Sequence, residues 1–167
     1  FFTKDNTDIS GISAIVGERV SSSVNFSIPY RQIWGFIKPS LSVIHRKYNL
    51  DDTPTNFRAN PEETIPVFSL DSGLYFDRFF DFSGNSFQQT LEPRLYFLYA
   101  QEEFQGDLPN FDSGSLTPSF SQLFRENRFA GSDRIGDARQ LSVGLTTRFL
   151  FQNTGAELLS MSLGQIY

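Results

Sequence analysis

Residues 139–151 read RQLSVGLTTRFLF. Leu141, Val143, Leu145, Phe149 and Phe151 fall on one side of a two-residue alternation, and Gln140, Ser142, Gly144, Thr146 and Arg148 fall on the other. Successive side chains of an extended strand point to opposite faces, so this segment carries one greasy face and one wet face. Strands of soluble proteins average about five or six residues, whereas a tilted strand crossing a bilayer needs roughly 9–11. The stretch is long enough for the second kind and predicts a membrane-crossing β-strand.

The same device recurs on both sides of it. Residues 19–28 set Val20, Val24, Phe26 and Ile28 against Ser21, Ser23, Asn25 and Ser27, and 35–48 set Ile37, Pro39, Leu41 and Val43 against Lys38, Ser40 and Ser42. A third strand is expected over 65–82, a fourth over 87–101, and a last over 157–167. Short connections fall near 30–34, 83–85 and 152–155, with Ser83-Gly84-Asn85 supplying residues that tolerate positive φ. Long ones fall near 4–18, 51–63 and 103–138. Outer-membrane barrels have this asymmetry, with short periplasmic turns and longer extracellular loops. About six strands and a stub at 1–3 are too few to close a spanning barrel, which has eight or more. The chain is therefore expected to be an internal piece of a longer secreted protein. Pro39 and Pro93 lie inside spans; neither can donate to a ladder, so a bulge or a gap in pairing is expected at each, weakening the wall where they face one another. Within the longest loop, Thr117 as N-cap and Pro118 at the first helical position predict a short helix over 119–124. Phe111, Phe120, Phe124 and Phe129 within it predict a packed loop.

Composition agrees. Only 39% of the residues are hydrophobic, yet there are 19 Phe among 167 residues, which suits a barrel with one apolar wall and aromatic girdles. Mean hydropathy is −0.28 because alternation averages out. A net charge of −5 with no basic cluster argues against nucleic acid. Cysteine is absent, so neither disulfides nor a thiolate metal site is available. The single histidine, His45, cannot build a metal cluster and reads as a rim residue at headgroup level. No nucleophile–base pairing, phosphate loop or metal-ligand spacing appears, so no enzyme and no cofactor is expected.

Three blocks carry a resemblance: QTLEPRLYFLY over 89–99, LFRENRFAGSDRIGDARQLSVGLTTRF over 123–149, and the closing SLGQIY. Together they resemble the barrel of the LptD (Imp/OstA) family of lipopolysaccharide-assembly proteins, over most of the chain from about Arg19 onward. The resemblance implies an all-β fold: an antiparallel transmembrane β-barrel segment, about six to seven strands of a barrel with roughly 26. It implies lipopolysaccharide insertion into the outer leaflet of a Gram-negative outer membrane. The implied partners are an LptE-like lipoprotein plug, lipopolysaccharide, membrane lipid, and a periplasmic transport bridge reached through a jellyroll domain. The jellyroll, the family's cysteines and the gate strands lie outside this mid-barrel stretch. A porin-like or small structural outer-membrane barrel is the alternative, and a soluble β-sandwich is third.

On this reading Lys38, Asp71, Asp77, Thr90, Glu92, Arg94 and Arg148 face the lumen, where they either contact plug or glycolipid or form a cross-strand charge ladder. Leu91, Leu95, Phe97, Leu141, Val143, Leu145 and Phe149 face lipid. Arg125, Arg128, Asp133 and Arg134 lie in the long extracellular loop, where arginine forks suit phosphates and acidic sugars. The competing reading there is an internally salt-bridged loop folded over the barrel mouth.

Overall fold

The structure, a computed structural model, describes residues 2–4, 16–51, 60–105 and 108–167. The strands are β1 (Phe2–Lys4), β2 (Val16–Ser27), β3 (Tyr30–Gln32), β4 (Gly35–Asp51), β5 (Glu62–Leu74), β6 (Phe76–Phe82), β7 (Asn85–Ala100), β8 (Gly114–Ser115), β9 (Phe129–Ala130), β10 (Ala138–Phe151) and β11 (Glu157–Ile166). They build one antiparallel sheet in the order β1-β2-β4-β5-β7-β10-β11. The short β3 continues the path of β2 along β4, and β6 continues β5 along β7. Only β8 and β9 stand apart, as a two-stranded ribbon within the long loop. No second large sheet packs on the first among the described residues.

Neighbours in sequence are neighbours in space, as hairpin connections dictate. The turns at 33–34, 83–84 and 152–156 lie at one end of the sheet, and the strand ends Lys4, Val16, Asp51, Glu62, Ala100 and Ala138 lie at the other. Ser83 and Gly84 both adopt positive φ (51° and 78°), as a two-residue hairpin requires.

Alternation sets exposure residue by residue. Along β5 from Glu62 to Ser69 exposed and buried residues strictly alternate. In β7, Leu95 is 41% exposed while Tyr96 beside it is 3%. Leu41, Val43, Phe68, Leu95, Phe97, Leu141, Val143 and Leu145 form a bare apolar face. At its short-turn end Phe80, Phe87, Phe149 and Phe151 cluster, with ring centroids 5.1–6.4 Å apart, as in an aromatic girdle. The opposite face is covered by residues 108–137. There Ile65, Val67, Tyr96, Leu98 and Ala100 pack against Ile135, with Ile44 and Phe124 beside them. Nearer the long-loop end Tyr48 and Leu50 pack against Leu108 and Phe111.

Both prolines interrupt a ladder on one side only. The β5–β7 ladder runs to Gly73–Arg94 and resumes in the same register as β6–β7 at Phe76–Leu91, the pairing lapsing at Leu74 and Tyr75 because Pro93 has no N–H to donate. The other side of Pro93 pairs normally with Leu145. Likewise β2–β4 ends at Ser27–Ser40 and β3–β4 begins at Tyr30–Ile37. There Ile28 donates to the carbonyl of Pro39 across 3.1 Å, and proline can return nothing. The two prolines do not face one another, however. Strand β5 separates them: Pro39 lies opposite Leu70, and the position opposite Pro93 is Leu74.

The short helix also departs from expectation. It is a 3₁₀ turn over Phe120–Phe124, and the N-cap is Ser119 rather than Thr117, with no side-chain cap bond. Packing of Phe120 and Phe124, not capping, fixes its start.

Candidate functional site

Among the described residues, the covered face holds the buried ion pairs. Asp133 is fully buried. One of its oxygens accepts from the Arg19 guanidinium and from the Tyr48 hydroxyl at 3.1 Å. The other accepts the backbone N–H groups of Phe111 and Asp112, each at 2.6 Å. Arg19 also grips Asp112 with both terminal nitrogens, at 3.0 and 2.9 Å. That guanidinium, helped by the Ser132 N–H, holds the Asp112 carboxyl well below the usual carboxylate range. Arg46, also fully buried, donates to Glu63 at 2.8 Å and to the backbone carbonyl of Asp133. Strands β2, β4 and β5 thus meet the loop through one network of buried ions.

A second attachment lies further down. Glu126 reaches the sheet and accepts from Ser42 on β4 at 3.0 Å and Ser69 on β5 at 3.1 Å. Arg94 forks onto Asp71 at 2.8 and 2.7 Å, and its guanidinium lies 4.1 Å from the centroid of the Phe124 ring. Phe124 sits where a Cβ on Gly144 would be, 2.5 Å from the ring edge, and Leu123 fills the same space over Gly164. Gly144 and Gly164 are cross-strand partners, and Gly144 is opposite Arg94. The loop helix therefore docks in a slot made by two missing side chains.

All seven polar-face candidates lie on the covered side. Lys38, Asp71, Glu92, Arg94 and Arg148 line a single hollow of about 410 Å³, closed at one side by Phe120. Thr90 donates to Glu92 at 3.0 Å, and Arg148 lies 3.7 Å from Glu92 and 4.0 Å from Glu157. Asp77 stands nearer the short turns, opposite Thr90. Leu91, Leu95, Phe97, Leu141, Val143, Leu145 and Phe149 share the bare face. His45 sits on that side near the long-loop end, its Nδ1 2.9 Å from the Thr64 hydroxyl.

The four loop candidates separate. Arg125 and Arg128 are exposed, Arg128 pairing with Asp137 at 3.1 Å. Arg134 is spent on the backbone carbonyls of Gln105 and Leu108. Asp133 has no free surface, so its chemistry serves the loop's own fold. Sequence reasoning missed Arg19, Arg46, Tyr48, Glu63, Asp112 and Glu126 as members of the network. The available signal was parity: Arg46 and Tyr48 fall in step with Ser40 and Ser42 on the polar face.

A meandering antiparallel sheet, apolar and bare on one face, polar and internally filled on the other, is the wall of a membrane β-barrel. Residues 2–167 match the family described as LptD, LPS transport system D. The chain is 40% identical over 169 residues to the LPS-assembly protein LptD of Hahella chejuensis, which covers 100% of this chain. It is 44% identical to that of Marinobacter nauticus over 99% of the chain, and 41% to that of Pseudomonas aeruginosa over 98%. The chain belongs to the LptD family and is part of a Gram-negative outer-membrane β-barrel. It spans only 19–21% of the length of these relatives.

Proposed function

We propose that this chain is a mid-barrel wall segment of a lipopolysaccharide translocon, transporting glycolipid rather than catalysing a reaction. Its covered face lines the lumen and its bare face meets lipid. The observation that carries this reading is the residue-by-residue alternation of exposure along the strands, with the polar side holding a charged hollow bounded by Lys38, Asp71, Glu92, Arg94 and Arg148. A phosphorylated, acidic saccharide needs a hydrated path edged with donors and acceptors of both signs, and this hollow supplies them. The docked loop occupies part of the lumen on the extracellular side. An LptE-like lipoprotein plug fills the remainder and meets the exposed Arg125 and Arg128. The periplasmic bridge connects through a jellyroll domain elsewhere in the full protein.

The test is photo-crosslinking in the full-length barrel purified with its partner. Probes at Thr90 and Thr146, on the covered face, are expected to capture lipoprotein or lipopolysaccharide. A probe at Leu95 is expected to capture membrane lipid. Equal capture of lipid from both faces would refute the assignment of sides.

A further inference from the structure

One arginine interrupts the apolar face near the short turns. Arg78 on β6 pairs with Gln89 on β7, and Gln89 pairs in turn with Phe149 on β10. Residues directly opposite one another share a face, so all three lie on the bare side. Thr147 joins them there, opposite Leu91. The Arg78 Nε–H donates to Gln89 Oε1 at 2.8 Å, the Gln89 amide donates to the Thr147 hydroxyl at 3.0 Å, and that hydroxyl donates to the Thr90 carbonyl at 2.8 Å. The relay ends on a backbone carbonyl, so it holds the guanidinium in place without supplying a counter-charge. The guanidinium carbon also lies 5.6 Å from the centroid of the Phe80 ring. The side chain stays exposed. Among the described residues Arg78 makes no ion pair, and neither terminal nitrogen is bonded to protein.

Place and charge select the occupant. The other charged residues of β2, β4, β5 and β10 on this face, Glu18, Lys47, Asp51, Glu62 and Arg139, lie toward the opposite end of the sheet. Arg78 stands two residues from Phe80 of the aromatic cluster, in the half that ends in short turns, which in outer-membrane barrels is the periplasmic half. Beside it Phe76, Gln89 and Leu91 edge an open hollow of about 270 Å³. Asp77 also borders this hollow, but its side chain belongs to the covered face, opposite Thr90. A cation facing lipid is costly at mid-membrane and nearly free of cost near the interface, and the arginine fork matches two oxygens of a phosphate. The periplasmic leaflet offers a phosphodiester in every phospholipid. We propose that Arg78 is the headgroup anchor of a phospholipid site on the outside of the wall. The phosphate takes the two terminal nitrogens of Arg78. One acyl chain runs deeper along the wall over Phe76 and Leu91, which are 53% and 39% exposed. The site rests on the reading that the bare face meets lipid, and not on the transport role.

The experiment uses the full-length protein with its partner in nanodiscs of phosphatidylethanolamine. A minor fraction of that lipid carries a diazirine, either beside the glycerol ester or at the acyl terminus. The ester-side probe is expected to label Leu91 several-fold above Leu159, which lies on the same face in line with Arg78 but three strands away. Arg78→Gln lowers labelling of Leu91 to the level of Leu159 and leaves acyl-terminal labelling of Leu145 unchanged, with heat-modifiability checking that the barrel is intact. If that variant does not assemble, the ratio of Leu91 to Leu159 in the unaltered protein decides. Failure of the acyl-terminal probe to label Leu145 above Thr146 would remove the assignment of faces and the proposal with it. With that assignment upheld, equal ester-side labelling of Leu91 and Leu159, no loss in Arg78→Gln, or capture of a lipopolysaccharide probe at Leu91 in preference to phospholipid would each overturn the proposal alone.

Discussion

Gly144→Ala should release the long loop without weakening the barrel. The new Cβ would stand 2.5 Å from the Phe124 ring and 3.1 Å from that of Phe120. Overpacking of this kind costs about 1–3 kcal/mol. Alanine in a strand also gains roughly 0.5–1 kcal/mol over glycine through backbone entropy. That gain is present whether the loop is docked or not, so the docking equilibrium feels only the clash. Each 1.4 kcal/mol is a factor of ten, so the undocked population should rise about 5- to 150-fold, and proteolysis that follows the open form should rise with it. Trypsin reads this directly, since Arg125 and Arg128 follow the docked helix. Heat-modifiability of the full-length barrel should be unchanged. In a Phe124→Ala background, where the ring is gone, Gly144→Ala should have a much smaller effect. Unchanged trypsin sensitivity, or an equal effect with and without Phe124, would refute the slot.

Asp133→Ala leaves buried Arg19 without one of its two carboxylates and strips Phe111 and Asp112 of their acceptor, so docking should lose about 3–5 kcal/mol; hydrogen exchange over 108–137 reads the loss. Leu145→Arg should destabilise the barrel by about 2–4 kcal/mol if it lies at mid-membrane, and Thr146→Arg by much less; equal costs in urea unfolding would refute the assignment of faces. Acid should also open the loop. The Asp112 carboxyl is depressed, so its contribution is complete above the ordinary aspartate value near about 4 and is lost as pH falls through the folded-state value. Asp112→Asn should therefore open the loop to trypsin at neutral pH and flatten the acid dependence of pepsin digestion.

The strands, their parity and their hairpin order were legible because each depends on residues two apart or on a turn. The ladder gaps at Pro39 and Pro93 were legible because proline lacks a donor wherever it stands. What escaped was everything needing a partner far along the chain. Gly144 and Gly164 read as small residues on a wet face, and nothing local says that Phe124 and Leu123 fill them. Asp133 read as one loop acid among several. Its burial depends on Arg19, 114 residues away. Parity marked Arg46 as inward-facing, but its partners Glu63 and the Asp133 carbonyl come from two other segments.

The buried ions also act as a registry check on assembly. A slip of one residue in β2 or β4 turns Arg19 or Arg46 to the outer face and leaves Asp133 with an unmatched charge inside. Apolar residues alone discriminate less sharply, because neighbouring aliphatic side chains can substitute for one another. The loop between β7 and β10 cannot find its seat until β10 and β11 supply the two glycines, after most of the sheet is in place. Its closure thus reports that strands from both sides of it have been added in order and in step. A barrel built on polar alternation, whose inner face tolerates water and therefore tolerates errors, gains by this a late and local penalty for misthreading.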